Sequence, residues 1–336
     1  MKTHDSTPIP AVVAGIADLT PTIREFLIQP QDGAVIEHEP GAHLPVQAMV
    51  PNADGLLQPQ LRHYSLVGEP DAAGYRIAVK RQDDGRGGSL SMWRLETGDR
   101  LSVFSPANHF PLDLNAGSYL LAAGGIGITP LVFMAQRLQA RGASLQMIYS
   151  ARSAQELAYA QLLRGQLGDA LQLHDGSSAA LPDYAAAIRQ LPADGLMYTC
   201  GPAPMLEALK RCWAESGRPL ANLRFETFGS SGSHPAQAFT VRIPRHDMEV
   251  TVPVGASLLD TLEAAGVATI SDCRRGECGL CAMDVLGVEG VIDHRDVFLS
   301  EEEKHSNTRL CACVSRVVGN ISLDTAYRVD TLPMPA

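Results

Sequence analysis

Three cysteines near the C-terminal end of the chain have a spacing that suits an iron–sulfur cluster. Cys273, Cys278 and Cys281 follow a C-x4-C-x2-C pattern, and Cys311 and Cys313 lie downstream. This spacing is typical of the ligands of a plant-type [2Fe–2S] cluster. Glycines between the cysteines would let backbone N–H groups approach the sulfur atoms. The stretch therefore predicts an electron-carrying metal centre.

Zinc or purely structural thiols are the alternatives for these cysteines. Zinc sites usually use two closely spaced cysteine pairs, whereas this stretch has one C-x2-C pair, so an iron–sulfur cluster is favoured. The fourth ligand is open between Cys311 and Cys313, because residues two apart on a strand face the same side. We favour Cys313, since it begins a run that we expect to form a strand ending at residues 321–324.

The composition excludes some classes of partner. The chain has 336 residues, a net charge of −10 and seven cysteines. It is long enough for two or three domains, and it has no apolar run of the roughly 20 residues that a membrane helix needs. The absence of a basic cluster argues against a nucleic-acid partner. We therefore expect a soluble, cytoplasmic protein with no membrane or nucleic-acid partner.

Much of the negative charge lies in the last hundred residues. Residues 237–336 contain 15 Asp and Glu against 9 Lys and Arg, which leaves −6 of the total of −10 in that part. Either this charge simply keeps the surface solvated, or it steers docking to a basic patch on a partner protein. The sequence leaves both interpretations open.

The first part of the chain, residues 1–111, is rich in short apolar runs separated by turns. Such a pattern predicts an antiparallel barrel or sandwich. Within it, the stretch Arg62-His63-Tyr64-Ser65 supplies a fixed cation, an aromatic ring and a hydroxyl. These groups could contact a phosphate, the face of a flat ring system and the edge of that ring.

A glycine-rich stretch lies within the same predicted barrel region. Gly87, Gly88 and Ser89 precede a helix predicted over residues 90–95. Free N–H groups at a helix start can bind an anion, although a flexible turn capped by Ser89 would explain the same residues. The nearby Arg-x-Tyr-Ser stretch makes a phosphate site the favoured interpretation.

Residues 112–226 show the alternation of a parallel α/β sheet. A strand over residues 118–123, a glycine loop, a helix and a second strand over residues 145–150 predict a βαβ unit. A further strand ends at Cys200-Gly201-Pro202. Ligands bind at the carboxyl ends of such strands, so both loops are candidates for a dinucleotide, although the G-x-G-x-x-G fingerprint is absent. Cys200 could equally be a small buried apolar residue.

Taken in this order, the motifs resemble the phthalate dioxygenase reductase family, the reductases of Rieske oxygenase systems. The resemblance covers about residues 10–328. It implies a multi-domain α/β and β fold: an FMN-binding antiparallel β-barrel over residues 1–111, a parallel α/β sheet binding NAD(P)H over residues 112–226, and a β-grasp [2Fe–2S] ferredoxin domain over residues 239–336. Residues 227–238 form a Gly/Ser-rich linker between the last two.

The resemblance also implies FMN, NADH and a [2Fe–2S] cluster as cofactors. The FMN ligands would be Arg62, His63, Tyr64, Ser65, Ala78, Val79, Lys80, Gly87, Gly88, Ser89 and Phe228, the last covering the isoalloxazine face. The NADH ligands would be Gly124, Gly125, Gly127, Thr129, Arg152, Cys200, Gly201 and Pro202. Because Arg152 could accept a 2′-phosphate, NADPH stays an alternative. The cluster would be held by Cys273, Cys278, Cys281 and Cys313, with Cys311 as the rival fourth ligand.

The function implied is electron transfer from NADH through FMN and the cluster to a terminal oxygenase of the Rieske non-haem iron type. No side chain is expected to act as a general acid or base, because the cofactors carry the chemistry. A cytochrome P450 or diiron hydroxylase as acceptor, or a carrier or sensor without turnover, are the alternatives. Asp272 and Glu277, beside Arg274 and Arg275, are candidates for the docking surface.

Overall fold

The computed structural model describes residues 7–51, 55–83, 85, 87–177, 181–228, 234 and 237–325. The chain forms two compact units, Met1–Glu226 and Thr227–Ala336. The first contains two sheets and the second contains one. Arg86, which precedes the predicted Gly87-Gly88-Ser89 stretch, and most of the predicted linker lie outside the described residues.

The first sheet is antiparallel and carries the predicted flavin motifs. Its strands are β1 (Ile9–Thr20), β2 (Ile23–Pro30), β3 (Ala42–Pro51), β4 (Leu57–Ser65), β5 (Tyr75–Lys80), β6 (Arg100–Val103) and β7 (Ala107–Asn108). Their order is β4-β3-β6-β1-β2-β5, and β7 pairs with β3. A bridge between Leu66 and Ile77 joins the two ends of the sheet. Alternate apolar side chains such as Phe26 and Leu44 fill the interior, as the period-2 pattern requires. Helix α1 (Gly88–Trp93) packs on β3 and β5.

The second sheet is parallel throughout. Its strands are β8 (Ser118–Gly124), β9 (Ser144–Ala151), β10 (Leu171–Asp175), β11 (Leu196–Cys200) and β12 (Leu223–Glu226). The helices of this part are α2 (Ile128–Ala140), α3 (Ala160–Leu167), α4 (Tyr184–Gln190) and α5 (Ala203–Glu215). Strand β8 is apolar along its length because both faces of the sheet are covered. The order β10-β9-β8-β11-β12 reverses direction between β8 and β11, and such a switch point is where open parallel sheets bind ligands.

The C-terminal unit is a mixed sheet covered by a helix. Its elements are β13 (Phe239–Ile243), β14 (Met248–Val252), α6 (Leu258–Ala264), β15 (Ala282–Asp293), α7 (Glu301–Ser306), β16 (Arg309–Cys311) and β17 (Arg316–Asp324). The order is β14-β13-β17-β15-β16, with β13 parallel to β17 and the other pairs antiparallel. Leu258, Leu259 and Leu262 of α6 are buried in its core. The cysteine loop lies between α6 and β15.

The expected fold class is confirmed, with one local difference. The run beginning at Cys313 is not yet a strand, because β17 starts at Arg316. The backbone carbonyl of Cys311 accepts hydrogen bonds from the N–H groups of Val314 and Ser315, at 3.3 and 3.0 Å, which close a tight turn before the strand. Cys313 therefore lies in a turn.

No helix in the described ranges is both long enough and apolar enough to cross a membrane. The expected cytoplasmic location stays a prediction.

Candidate functional site

Strand β4 and the start of α1 bring two of the predicted flavin motifs together. The side chain of Arg62 lies against Gly88, where an added Cβ would come 2.4 Å from Arg62 Nε. Gly87, just before the helix, has a φ of 79°, a conformation that favours glycine. The glycines therefore leave the space in which the guanidinium sits beside the helix start. This arrangement suits a phosphate, which pairs well with a planar guanidinium.

The hydroxyl of Ser65 is buried without a hydrogen-bond partner among the described residues. The residue is 4% exposed, and Oγ has no partner within reach. An unpaired buried hydroxyl is costly, so a bound group that completes its hydrogen bonding would be favoured. Tyr64 beside it is half-buried, and burial raises the pKa of its phenol, which stays neutral at physiological pH. Both residues fit a site for a flat heterocycle with polar edges.

The other members of the predicted flavin set have additional contacts. The ring of His63 lies 4.8 Å from that of His43. Ser89 Oγ accepts a hydrogen bond from Gln82 N at 3.0 Å. Lys80 Nζ lies 3.1 Å from Glu156 Oε2, so its charge is already paired within the protein. Their roles at a flavin stay predictions.

Strand β5 presents its residues to two different surroundings. Val79 is buried in the barrel interior, and its carbonyl accepts a hydrogen bond from Trp93 Nε1 at 3.0 Å. Ala78 packs instead with Ile23 and Ala158, on the side of the parallel sheet. Any flavin contact of β5 must therefore use groups other than the Val79 carbonyl and the packed side chains of Val79 and Ala78.

The two predicted nucleotide loops touch each other at the switch point of the parallel sheet. Ala123 and Cys200 are register partners at the ends of β8 and β11. A Cβ on Gly124 would lie 2.6 Å from Pro202 Cδ, and one on Gly127 would lie 2.2 Å from the Cys200 carbonyl oxygen. Glycine is thus required for the close approach, and the backbone of both loops lines one edge of the sheet. Such an edge can bind a pyrophosphate through N–H groups.

Of three further predicted ligands, Arg152 and Thr129 lie in the part with the parallel sheet, and Phe228 does not. Arg152 follows the end of β9, the neighbour of β8, and is exposed. Thr129 is 2% exposed and its hydroxyl donates to the Ile126 carbonyl at 3.0 Å, which stabilises the glycine loop itself. Phe228 belongs to the C-terminal unit and is 37% exposed. Its role over a flavin stays a prediction.

The cysteine loop forms a partly closed sulfur-lined site. Cys273 and Cys281 are buried and Cys278 is half-buried. The N–H groups of Arg275, Glu277 and Cys278 each donate to Cys273 Sγ at 3.4 Å. Three N–H groups directed at one sulfur stabilise a thiolate, as a cluster ligand requires. The positive φ values of Gly276 and Gly279, 78° and 72°, allow the loop to wrap this way.

Cys311 and Cys313 both lie beside Cys281 but have different surroundings. Hydrogen bonds from the thiols of Cys311 and Cys313 hold the pKa of Cys281 well below its ordinary value. Cys313 also interacts with Cys273, and the Gly276 N–H donates to it, so it faces the loop. Cys311, at the end of β16, is the register partner of Ala282 on β15, and its side chain is fully buried. These contacts favour Cys313 as the fourth ligand.

The buried thiols and directed N–H groups fit a [2Fe–2S] cluster. Within the described residues, no three His, Cys, Asp or Glu side chains converge closely enough for a single metal ion. A binuclear cluster needs less convergence, because its four thiolates are divided between two irons.

The expectation that Glu277 belongs to a docking surface is wrong. Its side chain is 14% exposed, and Oε1 accepts a hydrogen bond from Thr227 N at 2.7 Å. Oε2 lies 3.2 Å from Arg275 Nη2, and Arg275 is buried as well. Burial raises the pKa of Glu277, while Arg275 and Thr227 oppose that rise. The pair is an internal brace of the cysteine loop, and Asp272 is the exposed acid there.

Arg274 has a similar bracing role that the sequence did not indicate. Its guanidinium lies 2.9 Å from Asp260 Oδ1 and 2.8 Å from Glu263 Oε2, both on α6. Its φ is 51°, unusual for a residue with a side chain. The signal that could have indicated this contact is the spacing of the two acids, one turn apart on a helix.

Comparison with known proteins places these features in a family. A family model for a 2Fe-2S iron-sulfur cluster binding domain matches residues 241–318. The chain is 37% identical over 317 residues to the heme-dependent oxidative N-demethylase beta subunit of Ectopseudomonas mendocina (strain ymp), covering 94% of this chain and 98% of that protein. It is 34% identical over 298 residues to phthalate dioxygenase reductase of Burkholderia cepacia, covering 86% and 88%.

The fold supports the same assignment. A solved structure of phthalate dioxygenase reductase, described as modular for electron transfer from pyridine nucleotides to [2Fe-2S], matches with a TM-score of 0.75 and 30% identity. The match covers 95% of this chain and 98% of that one. The chain therefore belongs to the phthalate dioxygenase reductase family, and it is an electron-transfer oxidoreductase with FMN, a [2Fe–2S] cluster and NADH as its cofactors.

Proposed function

We propose that this chain is the reductase component of a system whose terminal oxygenase is a Rieske-type non-haem iron protein acting on an aromatic substrate. One observation carries the proposal. The similarity to the solved structure of phthalate dioxygenase reductase covers 95% of this chain and 98% of that one. A single chain that contains a site for accepting electrons from NADH and an iron–sulfur cluster is suited to supply electrons to a separate protein.

The chemistry that the bound groups supply is hydride acceptance from NADH at the flavin and one-electron transfer through the cluster. The residues of the chain bind and orient these groups. Arg62 and the glycines beside it would hold the flavin phosphate, and Ser65 would bond an edge of the ring. The loops at Gly124–Gly127 and Cys200–Pro202 would hold the dinucleotide. The N–H groups around Cys273 would stabilise the thiolate ligands.

We propose that the oxygenase docks through a basic patch against the acidic C-terminal unit. Exposed carboxylates such as Asp272 and Glu301 support this interpretation. Part of the acidic run at the start of α7 has a structural role, because Glu303 forms a capping box with Ser300. Docking should therefore depend on Asp272 and Glu301 more than on Glu303, and it should weaken as salt is raised.

The test of the electron path uses Cys278→Ser with Cys212→Ser as a matched control, since Cys212 lies on α5 in the other unit. The Cys278→Ser protein should still reduce ferricyanide with NADH but should lose most cytochrome c reduction. The Cys212→Ser protein should keep both activities. Equal loss of both activities in Cys278→Ser would refute this order of transfer. In the unaltered protein, an anaerobic NADH titration should bleach the flavin and then produce the cluster EPR signal.

A haem-containing oxygenase subunit is the second candidate for the acceptor. The relative that supports it is the beta subunit of a heme-dependent oxidative N-demethylase, 37% identical to this chain. The rates at which the protein reduces purified Rieske oxygenases and purified haem-containing oxygenase subunits can be compared under anaerobic conditions. Faster reduction of the haem proteins than of any Rieske protein would replace the first proposal with the second.

A further inference from the structure

The segment that follows β9 makes polar contacts with the barrel through Glu156 and Tyr159, two residues that are not among the proposed cofactor ligands. It begins at Arg152, at the carboxyl edge of the parallel sheet, and runs to Tyr159 just before α3. Its polar side chains Glu156 and Tyr159 both reach residues of the antiparallel sheet. Both sheets belong to the same compact unit.

Glu156 binds two separate elements of the barrel at once. Thr22 Oγ1, just before β2, donates to Glu156 Oε2 at 2.5 Å, and Lys80 Nζ, at the end of β5, lies 3.1 Å from the same oxygen. The Glu156 side chain is 15% exposed. Burial alone would raise its pKa, but the bonds from Thr22 and Lys80 hold the pKa below its ordinary value. The carboxylate is therefore a charged, well-bonded group at neutral pH.

Tyr159 supplies a second attachment. Its hydroxyl donates to Glu25 Oε2 on β2 at 2.8 Å, and Glu25 also lies 3.4 Å from Arg76 Nη1. The φ of Tyr159 is 60°, and residues with side chains hold this conformation only where surrounding contacts impose it. Between the two attachments, Ala158 is 1% exposed and packs against Ile23 and Ala78.

These contacts join the two halves of the proposed hydride-transfer site. On one side, Ile126 of the glycine loop packs on the same apolar group as Ala158. On the other side, Ala78 and Lys80 belong to β5, the strand proposed to line the flavin. A shift of the segment would move the nucleotide loop relative to that strand.

We infer that Glu156 and Tyr159 are positioning residues for hydride transfer, which hold the nucleotide loop at a set distance from the flavin strand β5. The inference rests on the proposed flavin and NADH sites. With both groups bound, NADH would give one hydride, a proton with two electrons, to the flavin; NADH would become NAD⁺ and the flavin would become its two-electron-reduced form. The rate of that step depends steeply on the separation of the reacting atoms.

The test compares Glu156→Gln and Tyr159→Phe with Asp18→Asn. The control removes the carboxylate of an exposed barrel ion pair, Asp18–Arg24, that does not involve the segment. Hydrogen exchange on the full-length protein should increase over residues 152–160 and 76–80 in the first two variants only. At saturating NADH, the stopped-flow rate of flavin bleaching should fall about 10-fold or more, with a larger deuterium isotope effect and unchanged NADH affinity.

An unchanged bleaching rate at saturating NADH in both variants would overturn the inference, and so would unchanged exchange in both segments. If Glu156→Gln fails to fold, Tyr159→Phe removes one hydroxyl only and still decides the matter. Failure of the proposed function is distinguishable, because flavin bleaching by NADH needs no acceptor protein, and a different acceptor would leave the bleaching of the unaltered protein intact.

Discussion

Gly127 lies directly against the backbone of Cys200, so that a Cβ at position 127 would come 2.2 Å from the Cys200 carbonyl oxygen. The contact joins the loops at the ends of two neighbouring parallel strands, β8 and β11. It explains why a glycine is needed at this point of the loop. The space for a side chain is filled by the backbone of the second loop.

Gly127→Ala should therefore impair the use of NADH. The overlap would push the two loops apart, and we expect kcat/KM for NADH-dependent ferricyanide reduction to fall by at least about 10-fold. Flavin and cluster absorbance should stay unchanged. Gly165→Ala is the matched control, because a Cβ at that position in α3 meets nothing within 4 Å. Equal activity of the two variants would show that the loop contact has no role.

The choice between Cys311 and Cys313 can be decided by iron content. Cys313→Ser should lose the cluster, because Cys313 faces Cys273 and the Gly276 N–H. Cys311→Ser should keep it, because Cys311 lies opposite Ala282 in a strand pair. Iron analysis and the visible spectrum of the purified variants make the comparison. Loss of iron in Cys311→Ser with retention in Cys313→Ser would reverse the assignment.

Ser65→Ala should weaken flavin binding without harming the flavin-free protein. Its hydroxyl is buried without a partner among the described residues, so the flavin-free state gains nothing from it. We expect a loss of about 1 kcal/mol of flavin binding free energy, roughly 5-fold in affinity. Fluorescence titration measures the affinity, and urea unfolding of the flavin-free protein should show equal or higher stability. Lower flavin-free stability would mean that the hydroxyl is structural.

Arg152→Ala should lower any residual activity with NADPH more than activity with NADH. Arg152 is exposed beyond the carboxyl end of β9, where a 2′-phosphate could be bound. The ratio of kcat/KM for the two nucleotides is the measurement. A fall in NADH activity alone would place Arg152 elsewhere on the nucleotide.

Glu277→Ala should destabilise the C-terminal unit and its cluster. Removal of this carboxylate deprives buried Arg275 of an ion-pair partner, which typically costs about 3 kcal/mol. Glu277→Gln should cost less, because its amide oxygen can still accept from the Thr227 N–H. Urea unfolding and the rate of cluster bleaching in air provide the two measurements. Equal effects of both substitutions would show that Thr227 contributes nothing.

The residue patterns by themselves predicted the β-rich first part, the parallel α/β part, the cluster and the loops that follow two of the parallel strands, whereas the β-grasp domain was implied by the family resemblance. Each of these patterns depends on short-range features: cysteines spaced to ligate one cluster, strands with period-2 alternation, and glycines that directly follow buried strands. The physical requirement lies within a few neighbouring residues, so the spacing is visible without coordinates. The same local reasoning predicted a strand starting at Cys313. In the structure, a turn closed by the Cys311 carbonyl occupies this position instead.

Only the tertiary structure decided which charged groups are internal. Glu277 was expected on the surface, but its partner Thr227 is 50 residues away in the chain. Glu156 and Tyr159 showed no motif, because Thr22 and Glu25 are each 134 residues from them. Contacts at such separations depend on how sheets and loops pack, and no local spacing records them. Charged residues of identical type are therefore solvated or buried according to the packing of distant parts of the chain.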